Sequence, residues 1–109
     1  MDRRPTVLIA DDEPFLVNAL GRAAKAAGLA YVTDTSSVRV MELAKTYRPK
    51  VVILDIHQKI DGRDLLAKLK RDPETADITV VILTAVEDPT TRAMCAAPGA
   101  TEYYIKPHI

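Results

Sequence analysis

Short apolar runs alternate along the chain with longer stretches in which apolar residues recur every three or four positions. The runs predict strands and the spaced stretches predict helices, because side-chain direction repeats differently in the two structures. The runs at residues 51–54 and 80–83 are apolar at every position, which predicts strands buried on both faces, as in a parallel sheet. Five strands are predicted in all, at residues 6–10, 31–33, 51–54, 80–83 and 102–105.

The first two predicted helices have recognisable ends. The first begins at Pro14, because proline suits the first turn of a helix, and it ends near Gly28. Its expected inner face has five apolar residues: Leu16, Ala19, Leu20, Ala23 and Ala27. The second helix is capped by Ser36 or Ser37 and stops before Pro49. It is expected to turn four residues inward: Val40, Leu43, Ala44 and Tyr47.

Two further helices complete an alternating order of strands and helices. The third follows Gly62, turns Leu65, Leu66 and Leu69 inward, and ends at Asp72-Pro73. The fourth occupies residues 88–98. Such alternation with right-handed crossovers predicts an α/β fold with a doubly wound parallel sheet.

Composition narrows the class of protein further. A chain of 109 residues predicts one domain, residues 1–109. The 15 basic and 15 acidic residues cancel, which argues against binding to nucleic acid or to an anionic membrane. No apolar run approaches the roughly 20 residues of a membrane helix. Cys95 is the single cysteine and excludes an internal disulfide, so a cytoplasmic location is expected.

Polar residues follow the predicted strands at the points where ligands bind in such sheets. Asp11 and Asp12 follow the first strand, Asp55 the third, Thr84 the fourth and Lys106 the fifth. The second strand ends in an aspartate at position 34, which we expect to lie further out. Carboxylates, a hydroxyl and an ammonium group are therefore expected along one edge of the sheet.

Carboxylates this close together either stay partly protonated or hold a cation between them. A set of oxygen ligands, with no cysteine cluster and no paired histidines, favours Mg²⁺ or Mn²⁺. The lysine and threonine can bind the remaining oxygens of a phosphoryl group. The pattern predicts phosphoryl transfer to a carboxylate through an aspartyl-phosphate.

The same residues resemble the receiver domain of two-component response regulators over nearly the whole chain. No single motif is specific, but five occur in the family's order and at about its spacings. They are Ile9-Ala10-Asp11-Asp12-Glu13-Pro14, Ile53-Leu54-Asp55, Ile82-Leu83-Thr84-Ala85, Gly99-Ala100 and Tyr103-Tyr104-Ile105-Lys106-Pro107. The resemblance implies a flavodoxin-like strand order 2-1-3-4-5.

The resemblance also implies a role for each matching residue. Asp55 would be the phosphoacceptor, with Thr84 and Lys106 contacting the phosphoryl group and Tyr103 turning inward on activation. Asp11, Asp12, Asp55 and the backbone carbonyl of His57 would bind the metal. The phosphoryl donor would be a phosphohistidine on a histidine kinase or phosphotransfer protein.

The sequence departs from the family's pattern in two places. After Asp55 the family has a proline four residues on and a glycine eight on, whereas this chain has Lys59 and, only seven on, Gly62. The family also adds a fifth helix after its Lys-Pro pair, and this sequence stops at Ile109. Without that helix, we expect the fourth and fifth strands to be bare on one side. One of three outcomes would follow. The chain would self-associate through that face, it would be a marginally stable fragment of a longer chain, or residues 101–109 would lie away from the fifth-strand position.

The function predicted from the sequence is a phosphorylation-controlled switch rather than an enzyme with an external product. It would act on a downstream protein or a fused output domain. One alternative is a pseudo-receiver, an interaction module that works without phosphorylation, which the short loop favours. The other is a small phosphatase with an aspartyl nucleophile, which usually has a second acid two residues later, where this chain has His57.

Overall fold

The computed structural model describes residues 6–36, 38–55, 62–84 and 102–105, with only the backbone described at Gly62, Arg63 and Thr84 and in the last range. The fourth predicted helix, His57 and Lys106 lie outside these residues. Within the described part of the chain, no helix is long and apolar enough to cross a membrane.

Five parallel strands form one sheet in the order β2-β1-β3-β4-β5. This confirms the doubly wound parallel sheet and its flavodoxin-like strand order. The strands are β1 Val7–Ala10, β2 Tyr31–Asp34, β3 Val51–Asp55, β4 Thr79–Thr84 and β5 Glu102–Ile105. Because β5 pairs with β4, the expectation that the C-terminal residues leave the fifth-strand position is wrong for residues 102–105.

The described helices are α1 Pro14–Ala26, α2 Val40–Tyr47 and α3 Gly62–Arg71. Pro14 is the first residue of α1, as predicted. The helix ends in a Schellman motif, in which Gly28 adopts a φ of 78°. Its amide donates to the Lys25 carbonyl at 3.0 Å, and the Leu29 amide donates to the Ala24 carbonyl at 2.8 Å. The left-handed backbone that this turn requires explains the glycine.

Two hydrophobic clusters cover the two sides of the sheet. Under α2 and α3, the larger cluster includes Val52, Leu54, Val80 and Ile82, all fully buried. The smaller cluster packs Val17 of α1 on alternate residues of β1. The opposite sides of the sheet therefore differ in the amount of apolar surface that they remove from water.

The difference corrects the prediction that the continuous apolar runs are buried on both faces. Val51, Ile53, Val81 and Leu83 point to the α1 side, and each remains partly exposed. Among the described helices, α1 lies over β1 and β2, which leaves the β4 side less covered. A strand that is apolar at every position can therefore be more deeply buried on one face than on the other.

The buried face of α1 also differs from the prediction. Val17, Gly21 and Ala24 are buried, whereas Ala19 and Ala23 are exposed, as is the predicted inward residue at position 27. Leu16 and Leu20 are partly buried, in agreement with the prediction. Alanine is tolerated in either environment, so it marks the inner face of a helix poorly.

A glycine lies at the centre of this face. A Cβ atom added at Gly21 would lie 2.7 Å from the ring of Tyr31. That ring packs directly on the helix backbone, and a larger residue would displace it. The periodicity of large apolar residues contains no signal for such a contact.

The second and third helices agree more closely with the prediction from the sequence. Val40, Leu43 and Ala44 are buried and Tyr47 is partly buried, as predicted, and so is the inner side of α3. The helix α2 ends at Tyr47, two residues before Pro49.

Candidate functional site

Strand register brings Asp11 and Asp55 to the same level of two adjacent strands. Ala10 at the end of β1 pairs with Leu54 of β3, and the two aspartates are the next residues along each chain. The strand order reverses between β1 and β3, because the chain goes on from β1 to β2 on one side and to β3 on the other. Ligands bind at such a switch point, beyond the carboxyl ends of the strands.

Three carboxylates meet at this point. One ligand oxygen from each of Asp11, Asp12 and Asp55 lies within 4.8 Å of the others. We call these three residues the acidic cluster. Asp11 is 1% exposed and Asp55 is 2% exposed, while Asp12 faces solvent. The cluster therefore has two carboxylates at the base of the site and one at its entrance.

Oxygen donors at this spacing fit a hard divalent cation such as Mg²⁺ or Mn²⁺. Two oxygens bound to one such cation at about 2.1 Å lie at most about 4.2 Å apart, so ligand atoms within 4.8 Å of one another need only a small side-chain movement to bind it. The charge of a cation would also offset the repulsion among three carboxylates, two of which have little access to water.

The main chain after β1 holds Asp11 in a fixed orientation. Its amide donates a hydrogen bond of 3.3 Å to the Asp34 carbonyl of β2. Its Oδ1 accepts a hydrogen bond of 2.9 Å from the Glu13 amide, which closes a turn just before α1 begins. The side chain and the main chain of Asp11 are thus both fixed by neighbouring backbone groups.

Two other predicted site residues lie on neighbouring strands. Leu83 pairs with Asp55, so Thr84 comes one residue beyond the aspartate at the end of β4. Tyr103 lies in β5, paired with Ile82. Thr84 is therefore at the end of its strand, as predicted, whereas Tyr103 is the second residue of β5.

A residue whose role the sequence did not reveal is Asp34. It lies outside the acidic cluster, is 7% exposed, and receives the hydrogen bonds that precede α2. Its Oδ2 accepts from the Arg39 amide at 2.8 Å, whereas a side-chain cap from Ser36 or Ser37 was predicted. Ser36 instead donates its hydroxyl to Asp34 at 2.7 Å. An aspartate two residues before a serine, a common turn pattern, is the signal that could have indicated this.

A doubly wound parallel sheet with polar residues at its β1–β3 switch point is typical of the class of α/β domains that bind a ligand beyond the strand ends. Comparison with known proteins specifies the class. The family model described as "Response regulator receiver domain" matches residues 7–108. The chain belongs to this family, which confirms the resemblance seen in its motifs.

Individual relatives agree with this assignment. The "DNA-binding dual master transcriptional regulator RpaA" of a Synechocystis strain is 31% identical over 104 residues, which are 94% of this chain and 43% of that protein. The chain spans less than half the length of the first curated relatives that it matches. Those relatives are named as transcriptional regulators, not as enzymes.

Solved structures show the same fold. The N-terminal domain of a response regulator receiver protein from Methanoculleus marisnigri is 31% identical, with a TM-score of 0.84, and the match covers 94% of this chain and 85% of that one. A response regulator from Burkholderia pseudomallei, crystallised "with a phosphorylated aspartic acid, calcium ion and citrate", has a TM-score of 0.85 at 23% identity. That match covers 94% of this chain and 60% of the other, and it shows a shared fold.

Proposed function

We propose that the chain is a single receiver domain, residues 1–109, that accepts a phosphoryl group on Asp55 with the help of Mg²⁺ or Mn²⁺. The observation that carries the proposal is the acidic cluster, with two buried carboxylates and one exposed carboxylate within 4.8 Å. Asp55 is the proposed acceptor because it follows β3, at the centre of the sheet, where the neighbouring strands β1 and β4 can supply ligands from both sides.

The proposed reaction transfers the phosphoryl group from a phosphohistidine of a histidine kinase or phosphotransfer protein. A carboxylate oxygen of Asp55 forms a bond to phosphorus as the phosphorus–nitrogen bond of the donor breaks, and the imidazole leaves and takes up a proton. The product is an aspartyl-phosphate. Little covalent chemistry is required of the protein, so position and charge account for most of the rate.

The residues of the chain have separate proposed roles in this transfer. Asp11, Asp12, Asp55 and the backbone carbonyl of His57 would hold the cation, which supplies positive charge between the carboxylates and the phosphoryl oxygens. Thr84 would donate a hydrogen bond to a phosphoryl oxygen, and Lys106 would pair with another. Tyr103 is the proposed switch residue together with Thr84. The Burkholderia protein, which shares the fold, was crystallised "with a phosphorylated aspartic acid, calcium ion and citrate", and this supports the proposal.

Phosphorylation of Asp55 is proposed to change the contacts of the domain with a downstream protein or a fused output domain. Binding of nucleic acid or membrane by this chain is not part of the proposal, because its 15 basic and 15 acidic residues cancel. We also propose a cytoplasmic location, because the proposed phosphoryl donor is a histidine kinase or a phosphotransfer protein. The relatives' function as transcriptional regulators supports a role in signalling rather than in metabolism.

A second candidate is an interaction module that works without phosphorylation. It is favoured by the short segment between Asp55 and Gly62, with Lys59 in the place of the family's proline. His57, whose carbonyl is a proposed metal ligand, falls within this shortened segment.

Mass measurement after treatment with acetyl phosphate distinguishes the two candidates. The wild-type protein should gain one phosphoryl group when Mg²⁺ is present and none in EDTA. Asp55→Asn should gain none, whereas Asp64→Asn, an exposed acid on α3, should behave as the wild type. A phosphoryl group found on Asp11 or Asp12 in Asp55→Asn would contradict the assignment. A folded wild-type protein that gains none with Mg²⁺ would favour the interaction module.

A further inference from the structure

The last residue of β2, Asp34, is a buried carboxylate at the same edge of the sheet as the acidic cluster. Its strand pairs with β1, and Asp34 lies opposite Ala10, directly before Asp11. Burying an ionised carboxylate is unfavourable unless hydrogen bonds replace its water. An uncharged residue would avoid this cost of burial. The groups that hydrogen-bond to the Asp34 carboxylate therefore indicate what the residue contributes to the structure.

The carboxylate of Asp34 fixes the segment that follows β2. Oδ1 accepts hydrogen bonds from the Ser36 amide at 2.9 Å and from the Ser36 hydroxyl at 2.7 Å. Oδ2 accepts from the Arg39 amide at 2.8 Å. Hydrogen bonds to an ionised acceptor are roughly twice as strong as those between neutral groups. Both ends of the turn between β2 and α2 are therefore tied to one side chain.

The main chain of Asp34 connects this turn to the acidic cluster. Its carbonyl accepts the hydrogen bond from the Asp11 amide, at 3.3 Å. Asp34 is the last residue of an edge strand and is paired on one side only, with β1, so the position of its carbonyl also depends on the chain beyond it. The hydrogen bonds of the carboxylate to Ser36 and Arg39 hold that part of the chain.

We propose that Asp34 is a positioning residue for the cation site: its carboxylate orders the β2–α2 turn so that its carbonyl fixes Asp11. The inference rests on the proposed function, because it concerns the cation affinity of the acidic cluster. Groups that orient a metal ligand without touching the metal commonly change affinity by 10- to 100-fold. The contact with Asp11 is indirect and through the backbone, so an effect of about 10-fold is expected.

A negative charge at Asp34 would attract a cation even without any positioning, and two variants separate these effects. Asp34→Asn removes the charge together with an acceptor for the Arg39 amide. Ser36→Ala keeps the charge and removes one of the hydrogen bonds that hold the carboxylate. Attraction by charge alone weakens with added salt, whereas positioning by hydrogen bonds depends little on salt.

The experiment measures Mn²⁺ binding by water-proton relaxation and the hydrogen exchange of the Asp11 amide in metal-free protein. Asp34→Asn should bind Mn²⁺ about 10-fold more weakly, and Ser36→Ala should show a smaller loss in the same direction. In both variants the Asp11 amide should exchange faster. Thr75→Val is the matched control, because the buried Thr75 hydroxyl donates to the Leu69 carbonyl at 2.6 Å, before β4 at the other end of the sheet. It should lower stability without changing Mn²⁺ affinity.

The outcomes separate failure of this inference from failure of the proposed function. If wild-type protein binds no Mn²⁺, the proposed cation site is wrong and this inference fails with it. If the wild type binds and both variants bind equally well, Asp34 has no positioning role. A loss confined to Asp34→Asn that disappears at high salt would show attraction by charge and would also overturn the inference. If Asp34→Asn does not fold, Ser36→Ala and its Asp11 exchange rate decide.

Discussion

Replacing Asp12 by asparagine should make the metal-free protein more stable. The ligand oxygens of the acidic cluster lie within 4.8 Å of one another, so each pair of full charges repels by about 0.9 kcal/mol in water. Asp12 takes part in two such pairs, which amounts to about 2 kcal/mol. The exposed position of Asp12 justifies the dielectric constant of water.

Two effects reduce this gain. Salt screens charges at an exposed position, and the positive end of α1, which begins at Pro14, attracts Asp12 by about 0.3–1 kcal/mol. The net expectation is a gain of about 1 kcal/mol. In a domain of about this size, that corresponds to a rise of about 4–8 °C in Tm.

Thermal unfolding followed by circular dichroism in EDTA and in Mg²⁺ measures this effect. In EDTA, Asp12→Asn should melt at a higher temperature than the wild type. A ligand at a hundred times its Kd adds about 2.7 kcal/mol to stability, so saturating Mg²⁺ should stabilise the wild type and reverse the order. Asp77→Asn, which removes an exposed charge at the other end of the sheet, is the control and should show neither change. Equal Tm values for Asp12→Asn and Asp77→Asn in both solutions would refute the idea of a shared cation pocket.

Three further predictions concern the rest of the fold. Leu66→Ala, in the fully buried layer beneath α3, should lower the free energy of unfolding in urea by about 2–5 kcal/mol; a loss below 1 kcal/mol would contradict the packing. The hydrogen bond from Lys45, at 2.8 Å, lowers the pKa of the Asp72 carboxyl from its ordinary 3.8. The stabilisation is therefore complete above pH 3.8 and is lost as the pH falls through the lowered value, so Asp72→Asn should flatten the acid side of the stability profile measured by urea midpoints. If the partly covered α1 side of β4 mediates self-association, Val81→Lys should give a monomer in sedimentation experiments under conditions where the wild type associates; a wild type that stays monomeric at high concentration would exclude this interface.

The strands could be predicted from the sequence because their signal does not depend on fine geometry. A parallel strand in the middle of a sheet is apolar along its length, and residues 51–54 and 80–83 have this composition. The third helix was equally clear, since three leucines at helical spacing are all buried. The positions of Asp11 and Asp55 followed from the strand ends alone.

Features that depend on contacts between elements were harder to predict. The inner face of α1 rests on Gly21, whose importance comes from the ring of Tyr31 on another element. The prediction that a serine caps α2 is wrong, since α2 has no side-chain cap among the residues that the structure describes. Asp34 instead holds the preceding turn by accepting from an amide five residues later, a contact that a pattern of adjacent residues does not show. The unequal burial of the two faces of β3 and β4 depends on where α1 lies, which the apolar pattern of a strand does not record.

The paired register of β1 and β3 has a consequence for how such a domain can diversify. Asp11 and Asp55 come level because Val7 pairs with Val51 and each strand runs on for the same number of residues. Inserting one residue within β1 or β3 would shift a carboxylate by about 3.3 Å and turn it to the other face of the sheet. Insertions or substitutions on the outer surfaces of α2 and α3 leave that register unchanged. Mutation can therefore alter these outer surfaces while the level position of Asp11 and Asp55 stays the same, so the helix surfaces and the acidic cluster can evolve separately on one small domain.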